Sequence, residues 1–144
     1  FHKYAGFTYQ VVDFKHHHGK QTEKVFFIGK ELADLLPIEQ SIREQYGDQV
    51  YMVYSTPQCL EVMNKGVSKA NALEELAERR GYTLKDCLVF GDGMNDFEML
   101  KQAGKGCVMG NADPRLKEAL PNNEVIGFNK DEAVARYIKN VFDL

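Results

Sequence analysis

Asp92, Asn95 and Asp96 lie almost side by side in the segment Gly91-Asp92-Gly93-Met94-Asn95-Asp96. Carboxylate and amide oxygens are hard donors that suit Mg2+, an ion that takes one or two protein carboxylates and fills its shell with water and substrate phosphate. The flanking glycines allow the backbone to turn tightly around a ligand. The same segment also fits a plain Gly/Asp turn in which Asp96 caps a helix, and taken alone it leaves both readings open. An EF-hand does not fit, because the glycine and distal glutamate of that loop are missing at their offsets. Lys69 adds a second chemistry. It follows Ser68 in what reads as the first turn of a helix, where the macrodipole disfavours a cation. A lysine makes sense there if an anion is shared between it and the helix N-terminus, although a solvated surface lysine is the plain alternative. A point charge, a metal-binding carboxylate and an amide donor are together the parts phosphoryl transfer needs.

These residues must be positioned by elements that the hydrophobic pattern makes visible. Cys87-Leu88-Val89-Phe90 is a short apolar run whose composition suits a strand buried on both faces, and the Asp92 loop follows it directly. Ligands of open parallel α/β sheets bind at the carboxyl ends of the strands, which is where that loop falls. Ser68 can cap a helix with Ala72, Leu73, Leu76 and Ala77 on its apolar face, ending at Gly81. A helix near 96–103, a strand over 106–109, a helix begun by Pro114, a short strand at 124–126 and a closing helix over 132–142 continue the alternation of a parallel sheet. Before residue 64 the texture differs. Strands are expected over 7–13, 24–28, 49–54 and 58–63, with Ser55-Thr56-Pro57 as a turn. Pro37 is expected in the first turn of a helix stopped at Gly47. Asn64 to Gly66 interrupts the pattern, which divides the chain into residues 1–65 and 66–144.

Composition narrows the classes further. The 144 residues carry 18 basic and 21 acidic side chains, a formal net charge of −3 that argues against nucleic acid as a partner. Hydrophobic residues make up 44% and charged ones 27%, the balance of a folded domain. No apolar run approaches the roughly 20 residues of a membrane span, so no membrane association is expected. Cys59, Cys87 and Cys107 sit in apolar stretches and read as buried free thiols of a reducing, cytoplasmic environment. The run His16–His18 reads as a solvated loop, Arg79-Arg80 as a solvated helix end, and Phe1, Tyr4, Phe7 and Tyr9 as sheet-packing residues.

Gly66-Val67-Ser68-Lys69, followed by Gly91-Asp92-Gly93-Met94-Asn95-Asp96, resembles the third and fourth motifs of the haloacid dehalogenase superfamily. The segments Gly106-Cys107-Val108-Met109-Gly110-Asn111-Ala112 and Asn129-Lys130-Asp131-Glu132-Ala133-Val134 resemble its Cof-type branch. That resemblance implies an α/β fold: the C-terminal half of a Rossmann-like core over 66–144, and the second half of an α/β (C2-type) cap over 1–65. It implies a phosphatase acting on small phosphorylated metabolites, pyridoxal phosphate or sugar phosphates, with Mg2+ as cofactor. Asp92 is then the catalytic metal ligand and Lys69 the catalytic group holding the transferring phosphate. Asn95 donates to the same phosphate, Asp96 supports the metal's water shell or the loop, and Asn111 shapes the rim. The family attacks phosphate with the first aspartate of an Asp-x-Asp motif followed by Gly-Thr, and that motif is absent from these residues. The expectation is therefore a C-terminal portion whose nucleophile lies outside this chain and which is inactive by itself. Self-association through an exposed sheet edge is a corollary. A non-catalytic phosphate- or metal-binding module, or an interaction module, is the alternative favoured by the missing nucleophile.

Overall fold

The computed structural model describes residues 13–16 and 22–144. The strand expected over 7–13, the aromatic residues Phe1 to Tyr9, and His17 and His18 fall outside the described residues or at their edge. His16 closes a 3-10 turn over Phe14–His16 and is exposed, its ring Nδ1 2.8 Å from Asp13 Oδ2.

Two sheets of opposite character lie on either side of Asn64. The first is antiparallel: β1 (Lys24–Ile28), β2 (Val50–Thr56) and β3 (Cys59–Asn64), in the order β1-β3-β2. Its helix α1 (Leu32–Tyr46) packs against the face carrying Leu60, which is fully buried like Leu35 of the helix. Two expectations are corrected here. Pro37 is not in the first turn of α1 but well inside it. The helix begins earlier because the Asp34 carboxylate accepts the N–H groups of Lys30 and Glu31, at 2.9 and 3.2 Å, an acidic N-terminal device that the proline obscured. The turn between β2 and β3 is also displaced. An irregularity between Tyr54 and Thr56 lets β2 continue, so the chain reverses at Pro57 and Gln58 instead of at Ser55 to Pro57.

The second sheet is parallel, in the order β4 (Leu88–Gly91), β5 (Lys105–Val108), β6 (Glu124–Val125). Its helices are α2 (Lys69–Glu78), α3 (Phe97–Gln102), α4 (Pro114–Ala119) and α5 (Ala133–Phe142). The expected strand–helix alternation is present, with Pro114 at the start of α4 and Asp113 capping it. Val89, Leu100, Val108, Met109 and Leu116 form the centre of this core. Each fully buried aliphatic side chain there contributes about 1.5–3 kcal/mol. Close packing sets one glycine: a Cβ on Gly106 would stand 2.2 Å from the Leu100 carbonyl oxygen, so only glycine lets β5 approach α3.

All three cysteines are free, but only Cys107 is buried; Cys59 and Cys87 are half-buried, which corrects the expectation of three interior thiols. Arg79 and Arg80 are exposed at the end of α2, as expected of a solvated helix end. Among the described residues no helix is long and apolar enough to cross a membrane.

Candidate functional site

The loop after β4 is built around one carboxylate. Asp96 is 3% exposed, and both of its oxygens are engaged. Oδ2 accepts the backbone N–H groups of Asp92 and Gly93, at 2.9 and 3.0 Å, which bends the loop back on itself. Oδ1 accepts from the Lys69 ammonium at 2.5 Å. Gly91 makes the bend possible, since a Cβ there would stand 2.5 Å from Asp96 Cβ. Asp96 therefore bonds the loop backbone and a lysine of α2 at once. It is not the simple helix cap of a Gly/Asp turn, because one oxygen reaches a different element, α2.

Lys69 occupies the first position of α2, behind Ser68, whose hydroxyl accepts the Asn71 N–H at 3.1 Å. Asn71 in turn donates to the Gly66 carbonyl at 2.9 Å, fixing the approach to the helix. The cation disfavoured by the macrodipole is offset by the Asp96 carboxylate. Its side chain is still 52% exposed, so N–H donors remain available to an anion from solvent. Lys69 and the Asp92 loop therefore meet at one place, joined through Asp96.

Asp92 itself is exposed at the carboxyl end of β4, the position expected for a ligand site. Its backbone is held from the β5 side: the Asp92 carbonyl accepts the Asp113 N–H at 2.8 Å, and the Gly91 carbonyl accepts the Met109 N–H at 3.0 Å. One carboxylate oxygen, Oδ2, accepts the Asn111 amide at 3.2 Å, and Asn111 Oδ1 accepts the Asn129 N–H at 3.0 Å. Asn111 is thus a strut between Asp92 and the loop before α5, a more definite placement than the rim. Asn95 is half-buried, its Oδ1 lying 2.7 Å from the point where a Cβ on Gly93 would stand. Asp92, Asn95, Asp96 and Asn111 stand in the segments after β4 and β5, and Lys69 reaches Asp96 from the start of α2.

The antiparallel sheet leans over this cluster. The Ser55 carbonyl lies 3.7 Å from the Cβ position of Gly93, and the Tyr51 hydroxyl donates to Glu98 Oε2 at 3.1 Å, tying β2 to α3. Burial, with the nearby Glu98 charge, pushes the Tyr51 hydroxyl up to about 12. Glu61 is, with Asp96, one of two buried acidic side chains among the described residues, and it bonds Lys24 at 2.7 Å. Burial raises the Glu61 carboxyl. Hydrogen bonds from Lys24 and Ser55, with the charges of Lys24 and Lys69, outweigh burial and leave it below the usual range. Sequence reading did not single out Glu61, Lys24, Tyr51 or Glu98. An acid in the middle of an otherwise apolar strand, Cys59-Leu60-Glu61-Val62-Met63, was the available signal.

The donor set fits a hard divalent cation. Asp92 offers an exposed carboxylate oxygen not engaged by Asn111, at a loop whose backbone is fixed on both sides. Among the described residues no three His, Cys, Asp or Glu side chains gather closely enough to hold a metal by themselves.

Residues 1–138 match the family model of haloacid dehalogenase-like hydrolases, and the chain belongs to that family. Among its relatives, a provisionally named phosphatase of Haemophilus influenzae is 60% identical over the whole chain and is covered over 53% of its length. An HMP-PP phosphatase of Citrobacter koseri is 39% identical over 99% of the chain and 52% of its own length. A haloacid dehalogenase-like hydrolase from Bacteroides thetaiotaomicron superposes with a TM-score of 0.71 at 29% identity, covering 92% of this chain and 49% of that one. The chain spans about half the length of the curated relatives it matches.

Proposed function

We propose that the complete gene product is a Mg2+-dependent phosphatase that hydrolyses small phosphomonoesters, pyridoxal phosphate or sugar phosphates. The Asp92–Asp96–Lys69 arrangement carries the reading: one buried carboxylate fixes both the metal-facing loop and the phosphate-facing lysine. Lys69 holds the transferring phosphoryl group with the donors that Asp96 leaves free, and Asn95 donates an amide N–H to the same group. Asp92 holds Mg2+, with Asn111 orienting its carboxylate. Bound Mg2+ supplies charge neutralisation on the phosphoryl oxygens. Asp96 stays a support and gives no oxygen to the metal directly. The nucleophile is an aspartate in the portion of the relatives that this chain does not span, and residues 1–144 alone are inactive for lack of it. The cytoplasm is the compartment this reading assigns, consistent with free thiols.

Asp92→Asn in the complete gene product tests the assignment. Hydrolysis of pyridoxal phosphate and of a sugar phosphate is expected to fall at least about a hundredfold at saturating Mg2+, with an unchanged melting transition. Near-normal turnover in this variant would remove Asp92 from the metal site.

A further inference from the structure

Asn111 can orient Asp92 only if it is itself held, and its amide is held at both ends. Oδ1 accepts the Asn129 N–H at 3.0 Å, which leaves the NH2 group to face Asp92 Oδ2 at 3.2 Å. The two bonds use the acceptor and a donor of one amide, so neither survives a flip of the group. Beneath that side chain, the backbone is fixed at the peptide joining Gly110 to Asn111. Gly110 donates its N–H to the Gly127 carbonyl at 2.9 Å, and its own carbonyl accepts from the Lys117 ammonium at 2.6 Å.

The Gly110 carbonyl and the Asn111 nitrogen belong to one planar unit. A cation on that oxygen therefore sets the plane from which the Asn111 side chain departs. Lys117 reaches it from α4 because the side chains of a helix lean toward its N-terminus, and Gly110 lies just ahead of Pro114, where that helix begins. The bond is charge-assisted, at about twice the strength of a neutral one. Its base is firm: Lys117 follows Leu116, which is fully buried, so the turn that carries the lysine cannot shift without disturbing the core. The Asp113 N–H also holds the Asp92 carbonyl, at 2.8 Å, but that bond fixes backbone and leaves the carboxylate to Asn111.

We propose that Lys117 is a positioning residue for the metal ligand. It holds the Gly110–Asn111 peptide, the peptide holds the Asn111 amide, and the amide turns Asp92 so that one carboxylate oxygen stays open to the cation. Lys117 itself touches neither metal nor substrate. The inference deepens the phosphatase reading and rests on it for Asp92 as the Mg2+ ligand.

Two measurements on the complete gene product test it. The first needs no metal: the Asn111 side-chain amide in the nitrogen–proton correlation spectrum, identified by its loss in Asn111→Ala. Lys117→Met is expected to move both amide proton signals toward those of a solvated asparagine, and Lys117→Arg, which keeps a charged donor, to move them less. Lys117→Gln, a shorter neutral donor, is measured beside Lys117→Met in case the latter does not fold, with the same direction expected. The second measurement is calorimetric titration with Mg2+. Asn111→Ala should weaken Mg2+ roughly tenfold or more, and Lys117→Met, one step further out, roughly threefold to tenfold. Because Lys117 acts through Asn111, the double variant should bind Mg2+ as Asn111→Ala does, within about twofold. Unmoved Asn111 signals in the folded lysine variant overturn the proposal, as does a double variant weakened by the product of the two single losses. A lower melting point with unaltered Mg2+ affinity also overturns it, since the lysine would then only staple α4 to the loop. If the unaltered protein binds no Mg2+, the phosphatase reading fails and the Asn111 signals still decide this one.

Discussion

Asp96→Asn isolates the support on which the site rests. Asparagine has nearly the same shape, and its single amide oxygen can still accept the Asp92 and Gly93 N–H groups that now reach Oδ2. Those two bonds become neutral ones, at about half the strength of charge-assisted bonds. The amide nitrogen would then face the Lys69 ammonium, donor against donor, where the carboxylate now accepts at 2.5 Å. Hydrogen bonds to a charged group are worth about 1.5–3 kcal/mol each. The Lys69 contribution is discounted to about 1 kcal/mol or less, because that side chain is 52% exposed and can rehydrate. The expected loss is about 2–3 kcal/mol, or a melting point lower by roughly 4–12 °C for a protein of this class of size. Asp96→Ala, which leaves two loop N–H groups without an acceptor, should cost more, about 3–5 kcal/mol. Lys69→Met should cost about 1 kcal/mol or less, since Asp96 keeps its two backbone donors. Urea unfolding of the complete gene product, followed by far-ultraviolet circular dichroism, measures all three. The reasoning fails if Asp96→Asn unfolds at the same urea midpoint as the unaltered protein, or if Lys69→Met proves the costlier change.

Leu116→Ala removes a fully buried side chain from the parallel-sheet core and should destabilise by about 2–5 kcal/mol in the same unfolding experiment, without altering phosphate affinity. The Arg115 guanidinium, 2.6 Å from Asp113, holds the Asp113 carboxyl below its ordinary value. A depressed carboxylate stabilises above its unfolded pKa and loses that contribution as pH falls through the folded value. Asp113→Asn should therefore flatten the decline in melting point below about pH 4. In spectrophotometric titration Tyr51→Phe should remove one phenol from the group ionising near pH 12. The raised hydroxyl stabilises fully below about pH 10 and ceases to do so as pH passes 12, so that variant should also lose less stability across this alkaline window.

The parallel half of the fold was legible because its strands are short apolar runs and its helices start at recognisable residues: Ser68 and Pro114 both stand where the sequence placed them, and the structure adds Asp113 as the cap before Pro114. The antiparallel half was read less accurately. At α1 a proline suggested a start that the Asp34 carboxylate had already made, and at β2 a local irregularity moved the turn past Thr56. Residues of the site loop were legible as types, but residue type alone left their roles open, since Asp92 and Asp96 are chemically identical in sequence and only the family resemblance implied separate parts for them. Only burial and bonding separate them: one is exposed toward solvent, the other closed over by three donors. Glu61 and Lys24 were invisible for a further reason. Their partnership spans two strands, and register is a property of the folded sheet rather than of either strand.

The path from β3 into α2 has a mechanical consequence. β3 is the central strand of its sheet, bonded on both sides, and it leads straight into the Asn64–Gly66 connection. The Lys65 N–H bonds the Gln49 carbonyl at 3.3 Å, so the stiff part extends to the threshold of Gly66, whose φ of +155° few other residues adopt. A strand bonded on both edges does not bend by itself, so a load placed on β3 is shared by β1 and β2, and the chain that leads into the Lys69 helix inherits the stiffness of a whole sheet.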